Sequence, residues 1–195
     1  MDKAFELSHN LDHIKANQDY DVWQIFKDRK ERFHKLFWRL EPFDELPSHR
    51  FEGKIKKRLS WLDYPRVDPD YPIVSKKMLD TLLSVDEFSY VVKPLIIYDC
   101  KLGKTMEDFV FLHLLEQLDI LDKENSLYYG KLKIAPSQAA LKEPRGGYPP
   151  LFRVKDAGLN WFVSEEAKEA LEEADIKGLR FVPLIYPETT VKYEK

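Results

Sequence analysis

The sequence predicts an α+β fold: a β-rich mixed sheet with a few packed helices, containing two pseudo-equivalent strand–helix–strand units. Three observations predict it. First, PIVSKKMLDTLLSVDEFSYVVKPLI (Pro72 to Ile96) and WFVSEEAKEALEEADIKGLRFVPLI (Trp161 to Ile185) carry the same marks 89 positions apart. Ser75 answers Ser164, Leu82 answers Leu171, Asp86 answers Asp175, and Pro94-Leu95-Ile96 answers Pro183-Leu184-Ile185. Second, strand-like and helix-like runs mix without regular βαβ alternation, which favours α+β over a doubly wound sheet. Third, 44% hydrophobic and 13% aromatic residues in a chain of 195 supply an ample core.

Along the chain, Ala4–Ser8 (AFELS) reads as a short strand. Asp21–Leu40 keeps roughly a helical period through Val22, Ile25, Phe26, Phe33, Leu36, Phe37 and Leu40, and Pro42 and Pro47 end it. Phe51–Leu62 alternates loosely, as a strand pair or an edge strand whose lysines discourage edge-to-edge pairing. Asp63–Pro72, with three prolines, is a rigid loop. In each repeated unit a short apolar run ends at a serine whose hydroxyl can cap the next helix. Met78, Leu79, Leu82 and Leu83 then recur at helical spacing in the first unit, and Ala167, Ala170, Leu171 and Ala174 in the second. Gly178 is the expected stop of the second helix, and each unit then finishes in a β-rich run closed by proline.

Ile96–Cys100 is a buried-strand candidate, and Lys101–Lys104 a turn. Asp108–Leu118 is apolar nearly throughout, so periodicity does not separate strand from helix there. Asp119–Ser126 turns the chain, Leu127–Ile134 alternates like a strand, Pro136–Pro150 is turn-rich, and Leu151–Val154 starts the second unit. The whole reads as one domain, residues 1–195, with 1–50 a helical, variable N-terminal part and 51–195 the α+β core.

Net charge is −3, which argues against a dedicated nucleic-acid binder and against a membrane-surface protein. No apolar run approaches the about 20 residues that span a bilayer, and the polar N-terminus lacks the apolar region of a signal peptide. A single cysteine, Cys100, excludes an internal disulfide and a CxxC metal site. The expectation is a soluble, cytoplasmic protein.

Motifs for chemistry are sparse. His9 and His13 sit four apart, but AFELSHNL does not look helical and no carboxylate spacing completes a metal site. His34 lies beside an aromatic face, and His113, inside an apolar run, reads as a hydrogen-bonded core histidine. Cys100 has no evident histidine or asparagine partner, and there is no GxSxG, P-loop or dinucleotide fingerprint. Arg145-Gly146-Gly147 lacks a following helix and reads as a flexible loop. Neither a catalytic residue, a metal site nor a cofactor site is expected.

What remains is surface. Glu165, Glu166, Glu169, Glu172 and Glu173 take the outward side of the second helix, where Lys168 is the only basic residue. The helix dipole favours acidic residues in the first turn but not at the C-terminal end, so the strip reads as a solvated face or as a docking surface for a basic partner. The first unit's helix instead begins Lys76-Lys77.

PIVSKKMLDTLL, then LDILDKENS, then LFRVKDAGLNWFVSEEAKEALEEADIKGLRFVPL resemble, in order and spacing, the eleventh numbered family of bacterial polymorphic-toxin immunity proteins. The resemblance covers about Phe51 to Leu184 and is strongest where Phe152, Arg153, Val163, Ser164, Leu171, Gly178, Phe181 and Pro183 fall in place. It implies a non-enzymatic, cytoplasmic antidote encoded beside a toxin, which binds that cognate protein toxin and occludes its active site. It implies no cofactor, no nucleic-acid or membrane partner, and a monomer or weak homo-oligomer. A tight complex would need buried aromatic or arginine anchors beside acidic steering, for which Trp61, Tyr64, Arg66, Tyr148 and Trp161 are the candidates. Two alternatives stay open: a self-assembling scaffold or interaction module, and a small hydrolase or transferase centred on Cys100, His113 or the His9/His13 pair.

Overall fold

The computed structural model describes residues 3–10, 50–53, 62–65, 73–99, 103–128, 136–158 and 160–185. In chain order these form β1 (Ala4–His9), β2 (Arg50–Gly53), β3 (Ile73–Ser75), α1 (Lys76–Leu83), β4 (Tyr90–Asp99), β5 (Lys104–Leu114) and β6 (Gln117–Leu118). They continue with β7 (Leu127–Tyr128), β8 (Pro136–Gln138), β9 (Leu151–Val154), β10 (Trp161–Ser164), α2 (Glu165–Glu173) and β11 (Leu179–Pro183). The expected helix at Asp21–Leu40 lies outside the described residues, as do 54–61 and 129–134 of the expected strands.

The strands make a five-stranded sheet ordered β11-β1-β10-β9-β6, a four-stranded sheet ordered β2-β4-β5-β3, and the small β7-β8 pair. β1 is antiparallel to both β10 and β11, so β10 and β11 run parallel with β1 between them. β5 is likewise antiparallel to β3 and β4, so β3 and β4 run parallel with β5 between them. A helix joins each parallel pair, α1 the first and α2 the second. The architecture is α+β, as the sequence predicts.

The two helices pack on each other, and one core takes side chains from both and from both large sheets. Leu7, Trp161 and Val163 come from the five-stranded sheet, Val74, Val110 and Leu112 from the other, and Met78, Leu82, Ala167 and Leu171 from the helices. A second cluster lies on the far face of the five-stranded sheet, where Ala4, Phe152, Val154 and Phe162 meet Leu121, Leu141 and Leu184. On that same face Glu6 accepts a hydrogen bond from Asn160 Nδ2 at 3.0 Å, and burial pushes its carboxyl above the ordinary range.

Alternation explains why Asp108–Leu118 was unreadable by period. Val110, Leu112 and Leu114 face the helices, while Phe109, Phe111 and His113 point to the opposite face and are buried as well. A strand buried on both faces shows a continuous apolar run rather than a period of two.

Both helices begin as expected. Ser75 Oγ accepts from Met78 N–H at 3.0 Å and Ser164 Oγ from Ala167 N–H at 3.2 Å, and a cap of this kind contributes about 1 kcal/mol. The ends differ from expectation. Helix α2 is stopped by Asp175, not Gly178: Asp175 adopts φ 53°, its N–H donates to Glu172 O at 3.0 Å, and Ile176 N–H donates to Leu171 O at 3.1 Å. That paired bonding is a Schellman motif, in which the residue after the cap turns left-handed and the next one buries against the helix. Pro183 closes β11 as predicted, but Pro94 does not close its strand and lies inside β4. Among the described residues β2 pairs with β4 from Ile96 onward, so at Pro94 the only described neighbour is β5, a setting in which a residue without an N–H is tolerated.

Gly178 is needed for a different reason. A Cβ added there would stand 2.6 Å from Tyr64 O, and its own φ is +96°. The backbone of 62–65 passes that close because Asp63 fastens the two strand–helix–strand segments together. Asp63 Oδ1 accepts from Ser75 Oγ at 2.6 Å, and Oδ2 accepts from Lys177 N–H at 2.9 Å. Its carbonyl accepts from Ser75 N–H at 2.7 Å, and Tyr64 N–H donates to Lys177 O at 3.1 Å.

The turn at Asp119–Ser126 is similarly self-bonded. Asp122 Oδ1 accepts from Glu124 and Asn125 N–H at 3.1 and 3.2 Å, and Oδ2 accepts from Asn125 Nδ2 at 2.7 Å. These bonds, the Asn125 side chain first, hold the Asp122 carboxyl below its ordinary range. Ser126 Oγ donates to Asp122 O at 2.6 Å and accepts from Ala140 N–H at 2.9 Å. The turn is thereby tied to the strand-like stretch that follows β8.

Candidate functional site

Helix α2 presents a broad outward surface because its inward residues are small. Ala167 and Leu171 are buried, and Ala170 and Ala174 lie half-buried beside them. At about 100° per residue, Glu165, Glu166, Glu169, Glu172 and Glu173 all fall on the opposite arc. Glu166, Glu169, Glu172 and Glu173 are exposed and Glu165 is half-buried.

Two of the five are engaged. Glu165 Oε1 lies 4.0 Å from Lys3 Nζ, and Glu172 Oε2 accepts from Lys168 Nζ at 2.8 Å. Lys168 bends over the sheet, its ammonium 5.3 Å from the Phe5 ring centre and 5.7 Å from that of Phe181. It therefore screens one flank of the strip. Glu166, Glu169 and Glu173 make no ion pair among the described residues and carry the net negative potential. The Ser164 cap and the Schellman stop fix both ends of the helix, so the strip is held on a rigid support.

The candidate anchors are not all brought together. Tyr64 is half-buried and sits between two rings, stacked on His9 at 4.3 Å with 9° between planes and on Trp161 at 5.9 Å. Trp161 is only 7% exposed and belongs to the core, so it supports Tyr64 from beneath and offers little surface of its own. Tyr148 lies elsewhere, stacked on Phe152 at 5.5 Å over the second core. Trp61 and Arg66 lie outside the described residues.

Of the residues weighed for catalysis, the two that are described lie on different sheets. His9 is on β1 of the five-stranded sheet and His113 on β5 of the four-stranded one. His113 is 1% exposed, in keeping with a core histidine. Cys100, His13 and His34 lie outside the described residues. Among the described residues no group of three or more histidine, cysteine or carboxylate side chains could hold a metal ion.

Clefts among the described residues include one of about 380 Å³ between α2 and β11 and one of about 130 Å³ whose walls include Glu87, Phe88, Glu116 and Phe152. Neither is lined by histidine or cysteine. No described helix is long and apolar enough to cross a membrane.

Sequence reasoning missed two working parts. Asp63 was read as the start of a loop, and its role as a clasp depends on Ser75 and Lys177, residues no local pattern links to it. Arg153 was read only as a family mark. It is 4% exposed on β9, cross-strand from Trp161 and Gln117, and burial lowers its pKa below the ordinary range. Its flanks Leu151, Phe152 and Val154 are all buried, a setting that does not announce itself in an alternating pattern.

The model of the immunity protein family (Imm11) matches residues 6–184. The match begins well before Phe51, because β1 supplies the strand between β10 and β11 and so belongs to the same sheet as the C-terminal block. No curated protein matches the chain.

Proposed function

The chain belongs to the immunity protein family (Imm11), and from that membership we propose that it is a cytoplasmic antidote that binds a cognate protein toxin and occludes its active site without turning over a substrate. The observation that carries this reading is the family match over residues 6–184. The acidic strip on α2 supports it with a surface: three glutamates without an ion pair among the described residues, on a capped helix, suit a partner that is basic around its own active site, as enzymes acting on nucleic acids or other anions often are. Opposite potentials steer encounter and raise association rate more than they deepen the final well.

Tyr64, backed by His9 and Trp161, is the described aromatic best placed to act as an anchor, since its ring is held on both sides yet remains partly accessible. The protein acts in this reading as a monomer or weak homo-oligomer and needs no cofactor.

The test is co-expression with the product of the neighbouring gene in a sensitive host. Growth restored by this chain, and a co-purifying complex, are the expected results. Absence of any toxicity that this chain relieves would overturn the proposal. Within it, Glu169→Lys with Glu173→Lys should slow association about tenfold at low salt and leave circular dichroism unchanged. Unaltered association kinetics would remove α2 as the docking face and leave the antidote role standing.

A further inference from the structure

The outer edge of β11 is a slot with closed ends. Asn10 N–H donates to Gly178 O at 2.9 Å, which sets the parity of the β1–β11 ladder. Pairs two apart from that one, Ser8 with Arg180 and Glu6 with Val182, are the hydrogen-bonded pairs, so odd-numbered residues of β11 turn their backbone groups outward. Their neighbours obey this parity. Lys177 is taken by Asp63 and Tyr64, Pro183 O accepts from Gln138 Nε2 at 3.0 Å, and Ile185 N–H donates to Ala139 O at 3.0 Å. Between those ends, the N–H and C=O of Leu179 and Phe181 point outward and meet no partner among the described residues. The gap from Lys177 to Pro183 is about 20 Å at 3.3 Å per residue.

Beside this edge lies the cleft of about 380 Å³, lined by the apolar Leu171, Ile176, Leu179 and Phe181 and by two ion pairs, Lys168 with Glu172 and Lys177 with Asp175. On the other face of the edge Arg180 is exposed, and it makes no ion pair among the described residues.

We propose that this edge captures a short extended segment of a partner protein, paired antiparallel to β11, with an acidic residue opposite Arg180 and apolar residues opposite Leu179 and Phe181. Two residues of an antiparallel strand satisfy all four outward groups, which suits so short a slot. Their side chains fall on the cleft side, beside Leu179 and Phe181, and the residue between them meets Arg180. Strand addition of this kind draws affinity from the main chain and selectivity from alternate side chains. A second copy of β11 fits poorly. Pairing Leu179 with Phe181 sets Arg180 against Arg180, a repulsive pair, and pairing Phe181 with itself sets Pro183, which has no N–H, against Leu179. The surface goes beyond the antidote reading and meets the acidic strip only at Glu172, and its test needs no toxin.

The probe is the blocked pentapeptide acetyl-Thr-Val-Glu-Val-Thr-amide, added at millimolar concentration to the full chain while amide hydrogen exchange is followed by NMR. The Leu179 and Phe181 amides should slow their exchange. N-methylation of both valines should abolish that protection, because their amides point at β11, and N-methylation of the glutamate should leave it intact. Arg180→Glu should weaken the peptide about two- to fivefold, the effect of one cross-strand charge pair, and replacing the peptide's glutamate by lysine should restore it. Exchange at both amides unmoved by the peptide, or protection that survives N-methylation of the valines, overturns the proposal. So does protection that rises with protein concentration in the absence of peptide, which would make the edge a contact between copies of this chain.

Discussion

The strand–helix–strand segment from Ile73 to Asp99 and the one from Trp161 to Pro183 begin alike and finish differently. Each enters its helix through a buried strand ending in a serine that caps the next turn. Each has an antiparallel strand from elsewhere in the chain lying between its two own strands, β5 in the first and β1 in the second. At the helix ends the likeness stops. Both cap residues, Ser84 of α1 and Ala174 of α2, are right-handed and bond back four residues, but the residue after Ser84 does not turn left-handed and its chain goes on to a ten-residue strand. Helix α2 closes on the left-handed Asp175 and turns sharply into a five-residue strand. A cap needs one hydroxyl in the right place, so it is easily written twice. The exit of a helix must aim the chain at a particular neighbour, and the neighbours here are not the same.

The widest test of this comparison is the shared core. Leu82 and Leu171 stand 89 positions apart and are buried in one cluster. Leu82→Ala and Leu171→Ala should each cost about 2–5 kcal/mol in urea denaturation. Because the helices touch, the double variant should lose less than the sum, by about 0.5 kcal/mol or more. Strict additivity would mean the two segments hold separate cores.

The caps come next. Ser75 both caps α1 and donates to Asp63, while Ser164 makes only the cap bond among the described residues. Ser75→Ala should therefore cost about 2 kcal/mol and Ser164→Ala about 1 kcal/mol, read by thermal or urea melts. Equal losses would show that the Asp63 clasp contributes nothing.

The helix exits should respond with opposite signs. Asp175→Gly relieves a left-handed residue at the cost of exposed contacts such as that with Lys177, so it should stabilise by about 0.5 kcal/mol. Asp86, its counterpart in sequence, has no positive φ and accepts from Glu87 N–H at 2.8 Å, so Asp86→Gly should destabilise by about 0.5 kcal/mol. Destabilisation by both would remove Asp175 as the stop.

The smallest effect concerns charge at the helix starts. Lys76 opposes the dipole of α1 and Glu165 favours that of α2. Lys76→Glu should stabilise and Glu165→Lys destabilise, each by about 0.3–1 kcal/mol, and both shifts should shrink in 1 M salt. Salt-independent shifts would point to packing rather than the dipole.

How much of this was legible in the sequence varies by residue. Ser75 and Ser164 could be read as caps because a hydroxyl before a helical apolar period has one common use. The glutamate strip followed from spacing alone. Pro94 misled, since a proline normally ends a strand, whereas here it lies inside β4 opposite Val110. Gly178 misled too, because a glycine after a helix suggests a stop, whereas here it clears the path of Tyr64. The candidate anchors were chosen by residue type, and type does not distinguish Trp161, which is buried, from Tyr64, which is partly open.

By itself the sequence determined the helix starts and the inward and outward faces of α2. These rest on bonds and periods that span a few residues, where the chain's own geometry allows little choice. The tertiary structure alone decided that β1 pairs Ala4 with Ser164, that Asp63 joins Ser75 to Lys177, and that the outward groups of Leu179 and Phe181 meet no partner among the described residues. Each is a meeting of segments distant along the chain, fixed by which backbone groups are left unsatisfied once the local elements have formed, and no short-range pattern records it.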